Sequence, residues 1–173
     1  MTKKVIIFGL ATGFINVIIG LSTAPIWMEE MDFSTGEILG YVSIILALSM
    51  VFVGIKSYRD NDLGGTIGFG KALGVGVLIV LIASIIYVIS WSVYYNYMMP
   101  DFQDKFLDYS ITQINQSGDY TEAEKEIQIN EMKSWMESYK NPFVMMAFTF
   151  LEFFPIGFIV ALISAFILSR KKV

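Results

Sequence analysis

Four apolar runs, at about 5–24, 38–55, 72–95 and 143–168, constrain this chain more than any other feature. Each approaches the ~20 residues that a helix needs to cross ~30 Å of hydrocarbon at 1.5 Å per residue. Backbone N–H and C=O groups in lipid find no water, so runs of this length must be helical. The expected fold is an all-α membrane protein with four transmembrane helices forming a four-helix bundle. Its 173 residues make one integral membrane domain, and only the 100–141 stretch leaves room for an extramembrane element. That 55% of the residues are hydrophobic agrees with this class rather than with a soluble domain.

Charge sets the topology. Lys3, Lys4, Lys56, Arg59, Lys71, Arg170, Lys171 and Lys172 flank the two termini and the second loop, opposed there only by Asp60 and Asp62. Glu29, Glu30, Asp32, Glu37 and the acidic segment 101–140 fall on the other side. Positive residues mark the cytoplasmic face, which puts both termini inside and the segment between the third and fourth spans outside. The expected location is a bacterial inner membrane, with the bilayer as the first partner. Lys3, Lys4 and the small residues Ser22-Thr23-Ala24 loosely resemble a cleavable leader. The apolar core is longer than a leader's 7–15 residues and Pro25 follows at once, so the span is expected to stay.

The chain has no cysteine and no histidine. This removes disulfides, thiol nucleophiles, haem and iron–sulfur ligation, zinc sites built on His or Cys, and triads with a histidine base. No Asp lies in a span, so paired-aspartate proteolysis also fails. An enzyme, a metal site and a cofactor are not expected. Gly65 to Lys71 fits the G-x-x-x-x-G-K of a phosphate loop, but Ala72 stands where Ser or Thr would hold magnesium. No strand precedes it and a span follows, so neither nucleotide nor nucleic acid is an expected partner. The stretch 56–71 reads instead as a cytoplasmic loop carrying Tyr58 and Arg59, with Gly64 and Gly65 supplying a tight turn.

Small residues mark packing faces. In the first span Gly9, Gly13, Asn16 and Gly20 fall on one helical stripe. Gly9/Gly13 and Gly70/Gly74 are small-xxx-small pairs that let two backbones approach in lipid. The third span ends in Tyr87, Trp91, Tyr94, Tyr95 and Tyr97, an interfacial aromatic belt.

Between the third and fourth spans, Phe102, Phe106, Tyr109 and Ile114 recur at near-helical spacing until Ser117-Gly118-Asp119 interrupts them. Thr121-x-x-Glu124 is a capping box that opens a second helix. Ile129, Met132, Met136 and Tyr139 make its apolar stripe, and Asn141-Pro142 ends it. The expected element is an extracytoplasmic helical hairpin folded over the outer mouth of the bundle; its stripe is alternatively a surface for a partner protein.

Glu152 is the only carboxylate inside an apolar run, and Pro155 follows three residues later. An ionisable group within a span costs ~3 kcal/mol or more and marks a functional hypothesis. Counted from the outer ends at 1.5 Å per residue, Asn16 and Tyr87 lie ~12 Å deep and Glu152 ~13 Å. The three are expected to form one polar cluster in the interior. Helical phase works against this. Glu152 shares a face with Phe148, Ile156, Ile159 and Ile163, nearly opposite Gly157, Ala161 and Ser164. Either Pro155 kinks the helix, or both faces are buried, one of them in a homo-oligomer.

The run Gly54-x-x-x-Tyr58-Arg59, Gly64-Gly65, then Phe69-x-x-Ala72-x-x-x-Gly76 resembles a bacterial membrane family, domain of unknown function 4199. So does Glu152-x-x-Pro155-x-Gly157 with the terminal Arg170-Lys171-Lys172. The resemblance implies a four-span inner-membrane protein of a kind common in Bacteroidota, without an activity, substrate or catalytic residue. Three functional readings follow from the residues: a non-enzymatic structural or accessory component with a buried Glu152; a small proton- or cation-coupled transporter or channel using Glu152; or a sensor subunit that binds a partner through the hairpin.

Overall fold

A computed structural model describes residues 1–28 and 32–169. Of the charges used to orient the chain, Glu29, Glu30, Arg170, Lys171 and Lys172 lie outside those residues. In chain order the helices are α1 Thr2–Met28, α2 Phe33–Asp62, α3 Phe69–Val93, α4 Phe102–Gln116, α5 Glu122–Tyr139 and α6 Pro142–Leu168, with a π-helical turn at Tyr94–Met98 prolonging α3. No strand occurs among the described residues.

The four long helices run 27 to 30 residues, counting the π turn with α3. At 1.5 Å per residue that is ~40–45 Å, longer than the hydrocarbon core alone. Their ends therefore extend beyond the apolar runs, most of all in α2. The sequence places Tyr58 and Arg59 in a loop, whereas they occupy the last turns of α2. Nothing from Lys56 to Asp62 stops a helix, and the first residues that do are Gly64 and Gly65, at φ +67° and +93°. The Gly65 N–H donates to the Arg59 carbonyl at 3.0 Å and closes the end. Tyr58 is buried there.

Helices α2 and α3 touch each other, α1 packs against both from one side, and α6 packs against both from the other. The core lies where α2, α3 and α6 meet. Ile44, Leu48, Val51 and Ile55 of α2 face Val75, Ile79, Val80 and Ala83 of α3, with Phe153, Ala161 and Ala165 of α6 between them. Missing side chains set the spacing. A Cβ at Gly76 would lie 2.9 Å from the Ala161 Cβ, one at Gly54 2.9 Å from the Phe8 ring, and one at Gly157 would collide with Val80. Gly9 and Gly13 abut Ile82 and Ile86 in the same way. Gly20, Gly70 and Gly74 do not serve this role, because a Cβ at each would meet nothing within 4 Å. Spacing along one helix identifies a small stripe but not the partner that fills it.

The end away from the hairpin is tied by polar groups. Lys4 Nζ donates to the Ser57 carbonyl at 2.8 Å and pairs with Asp62 at 2.5 Å. Arg59 Nε pairs with Asp60 at 2.6 Å, and its Nη1 donates to the Leu168 carbonyl at 3.3 Å. A cation at the C-terminus of α6 meets the negative end of that helix dipole.

At the other end α4 and α5 form the hairpin. The capping box is complete, with the Glu124 N–H donating to Thr121 Oγ1 at 3.4 Å and the Thr121 N–H to Glu124 Oε2 at 2.8 Å. The hairpin folds back on the long helices through aromatic rings. Phe33, at the start of α2, meets Phe102, Phe106 and Tyr109 with centroids 5.2–5.7 Å apart. Trp91 meets Phe102 edge-on at 5.4 Å and donates its indole N–H to Tyr139 Oη at 3.0 Å. Met136 and Tyr139 of the α5 stripe are buried.

Candidate functional site

The hairpin does not fill the end of the helix packing. Beneath it lies a cavity of about 610 Å³, walled by the first turns of α2, the last turns of α3 and the first turns of α6. That volume is within the ~300–1,000 Å³ of small-molecule sites.

Each wall follows from local sequence. Asp32 caps α2: its Oδ1 accepts the Thr35 N–H at 3.1 Å and its Oδ2 the Thr35 hydroxyl at 2.5 Å. Those bonds, the hydroxyl's first, hold the Asp32 carboxyl below its ordinary pKa. One turn later Glu37, Gly40 and Tyr41 share a face at i, i+3, i+4 and line the cavity. Tyr87 and Trp91, at i, i+4, do the same from α3. From α6 come Phe148, Thr149 and Glu152, and the roof is Phe102, Phe106, Tyr109, Trp135 and Tyr139. Burial against the long helices raises the Tyr139 phenol above its ordinary pKa. Among the described residues the only charged side chains on this wall are Glu37 and Glu152.

Glu152 is not in the interior. Its side chain is exposed to this cavity, while its neighbours Thr149, Phe153 and Gly157 are buried in the packed face. The phase argument decides the outcome: α6 runs unbroken through Pro155, which is itself exposed, and the small residues make the packing face. The carboxylate is not turned inward. It lies instead in the gap that α2 and α6 leave under the hairpin.

Of the three residues expected to cluster, two are joined. Tyr87 Oη donates to Glu152 Oε2 at 3.2 Å, and the Tyr87 ring packs on Phe153 with centroids 5.0 Å apart. Asn16 is buried but turns elsewhere, its Nδ2 donating to Ser43 Oγ at 3.0 Å while Ser43 donates to the Gly40 carbonyl at 2.7 Å. Equal depth does not imply contact, because α1 and α6 stand on opposite sides of the α2–α3 pair.

Asn16 belongs to a second cavity of about 340 Å³ between the hairpin-side halves of α1, α2 and α3. Its lining is mostly apolar and, among the described residues, uncharged: Val17, Leu21, Ala24, Ile89 and Val93 stand beside polar Asn16, Thr23, Ser43 and Ser90. Trp27, Gly36, Gly40, Tyr87 and Trp91 line both cavities, so the two adjoin. Neither space was read from the sequence. The available signal was Glu37, Gly40 and Tyr41 on one face of α2, an acid and a ring beside a position with no side chain. Among the described residues no group of three or more His, Cys, Asp or Glu is placed to hold a metal ion.

Four helices long and apolar enough to cross a bilayer, capped by a helical hairpin over an acidic aromatic cavity, are the plan of a multi-pass helical membrane protein. Within that class the chain belongs to the family described as protein of unknown function DUF4199, which it matches over residues 7–170. No curated protein and no solved structure matches it.

Proposed function

We propose that this is a non-enzymatic protein of the bacterial inner membrane that binds a cation at Glu152 in a vestibule facing the extracytoplasmic side. The observation that carries the reading is the state of the carboxylate: exposed in a 610 Å³ cavity, with Tyr87 Oη donating to it at 3.2 Å and, among the described residues, no Lys or Arg on the wall. A structural glutamic acid would instead be enclosed and have its lone pairs occupied. Glu37 adds a second negative group, and the surrounding rings present π faces that attract cations.

The orientation rests on charge. Lys3, Lys4, Lys56, Arg59 and Lys71 lie at the end opposite the hairpin, which is the cytoplasmic end by the positive-inside rule. Both termini are then cytoplasmic. Toward that end the α2–α3–α6 core is closed, with Leu48, Val51, Ile55 and Ile79 at 0% exposure. A closed inner half suits a binding or sensing protein better than an open channel.

The test uses purified protein in nanodiscs and in liposomes. Tetramethylammonium is titrated against the fluorescence of Trp91 and Trp135, which line the vestibule, and proton and cation flux are read in the liposomes. Saturable binding weakened about tenfold or more in Glu152→Gln, without flux, supports the reading. Flux abolished by Glu152→Gln would make the protein a coupled transporter. Absence of binding, with a lower melting temperature in Glu152→Gln, would return the residue to a structural role.

A further inference from the structure

Resting on the vestibule as a cation site, we infer that its ligand is amphipathic: an alkylammonium whose charged head sits at Glu152 and whose hydrocarbon tail occupies the adjoining apolar cavity. The argument begins with the shared wall. Tyr87 offers its hydroxyl to Glu152 on the vestibule side and also lines the apolar cavity. Gly40 borders both spaces, and a Cβ built there meets no atom within 4 Å. Helix packing therefore does not require a glycine at that position. Its effect is to keep the boundary between the two spaces thin at that point.

The apolar cavity has the same property further along. Gly20 lines it, and a Cβ there also meets nothing within 4 Å. Ile89 and Val93 on its rim are 57% and 49% exposed on the apolar surface of α3, so the space opens toward lipid. A chain entering from the bilayer would reach the wall at Gly40, and the two carboxylates line the space on the other side of it. The head and tail sites differ in chemistry as an amphiphile's two ends do.

The charge pattern selects among amphiphiles. An anionic or zwitterionic phosphate headgroup would bring its phosphate against Glu37 and Glu152 with no Lys or Arg among the described residues of the wall to balance it. A simple alkylammonium has no such group. A trimethylammonium head would lie beside Tyr87 and Trp91, and aromatic rings are the usual partners of quaternary ammonium ions.

The experiment titrates the protein in nanodiscs with tetramethyl-, butyltrimethyl-, hexyltrimethyl- and octyltrimethylammonium, subtracting partition into empty discs. Tryptophan fluorescence is the readout, with octyl sulfate and phosphocholine as control probes. The expected result is tighter binding with length, by up to about fourfold per methylene, the ratio equivalent to ~0.8 kcal/mol per CH₂ taken from water. Gly20→Leu, which fills the apolar cavity from a position with free space around it, is expected to flatten that dependence. The tetramethylammonium response of the same variant serves as its folding check. Binding of tetramethylammonium that needs Glu152 but does not change with tail length overturns this inference and leaves the cation site standing. Binding of phosphocholine or octyl sulfate as tight as that of the ammonium probes also overturns it. Failure of tetramethylammonium itself to bind overturns the vestibule reading beneath it.

Discussion

Gly74 and Gly76 are two residues apart on α3 and identical in type, yet the packing around them predicts opposite responses to alanine. A Cβ at Gly76 would lie 2.9 Å from the Ala161 Cβ and 3.4 Å from its Cα, against an ordinary contact of ~3.5–4.0 Å. The overlap is ~0.6–1.1 Å, and neither Ala161 atom can rotate away, so α3 and α6 must separate. Overpacking of this kind costs ~1–3 kcal/mol. At Gly74 the Cβ meets nothing. Replacing glycine by alanine in a helix also gains up to ~1 kcal/mol at either position, so comparing the two variants cancels that term. Gly76→Ala is therefore expected to be ~1–3 kcal/mol less stable than Gly74→Ala. At ~2–4 °C per kcal/mol for a chain of this size, the melting points should differ by ~2–12 °C. The chain has no cysteine, which rules out thiol-reactive dyes, but its three tryptophans allow a thermal scan by intrinsic fluorescence. Equal melting points, or a more stable Gly76→Ala, would refute the claim that this glycine sets the α3–α6 spacing.

Phe33→Ala removes ring contacts with Phe102, Phe106 and Tyr109. At ~0.5–1.5 kcal/mol per aromatic pair it should loosen the hairpin by ~2–4 kcal/mol and speed proteolysis near Gly118, while the long helices keep their protection from hydrogen exchange. Ser92 Oγ is buried without a hydrogen-bond partner, so Ser92→Ala should stabilise the protein by ~1 kcal/mol in the same fluorescence scan. The Thr121 N–H and hydroxyl, in that order, hold the Glu124 carboxyl below its ordinary pKa. A depressed folded pKa contributes stability that is present above the unfolded pKa and lost as pH falls through the folded one. Exchange protection at the start of α5 should therefore decline on acidification below about pH 4, and Glu124→Gln, which has no carboxyl to protonate, should remove that dependence.

Legibility from sequence followed how local each determinant is. The capping box at Thr121, the break at Ser117-Gly118-Asp119 and the end at Asn141-Pro142 are written within a few residues, and the structure carries each of them. The four long helices were visible as apolar runs, but the end of α2 was not, because hydropathy falls at Lys56 whereas the backbone turns only at Gly64. Depth along the membrane normal is a count of residues and survives without a structure. Azimuth depends on which helix is the neighbour, so Glu152 and Asn16, expected at one level, face different spaces. The helical-phase argument already pointed Glu152 away from the small face. What it lacked was an empty volume on the other side, since cavities depend on how far helices diverge and leave no periodic trace.

The bond from Arg59 to the Leu168 carbonyl spans 109 residues of chain. At ~5–20 residues per second, the ribosome delivers that carbonyl ~5–20 s after the arginine. Throughout the interval Arg59 has Asp60, made immediately after it, as a partner already at hand. Until α6 arrives, Gly76, Val80 and Leu48 have no Ala161 or Gly157 to pack against, and an incomplete chain presents that face to lipid. The adjacent acid thus acts as an interim counter-ion. Arrival of the α6 terminus adds a second acceptor to the same guanidinium, so one side chain couples the state of this end of the bundle to the docking of α6.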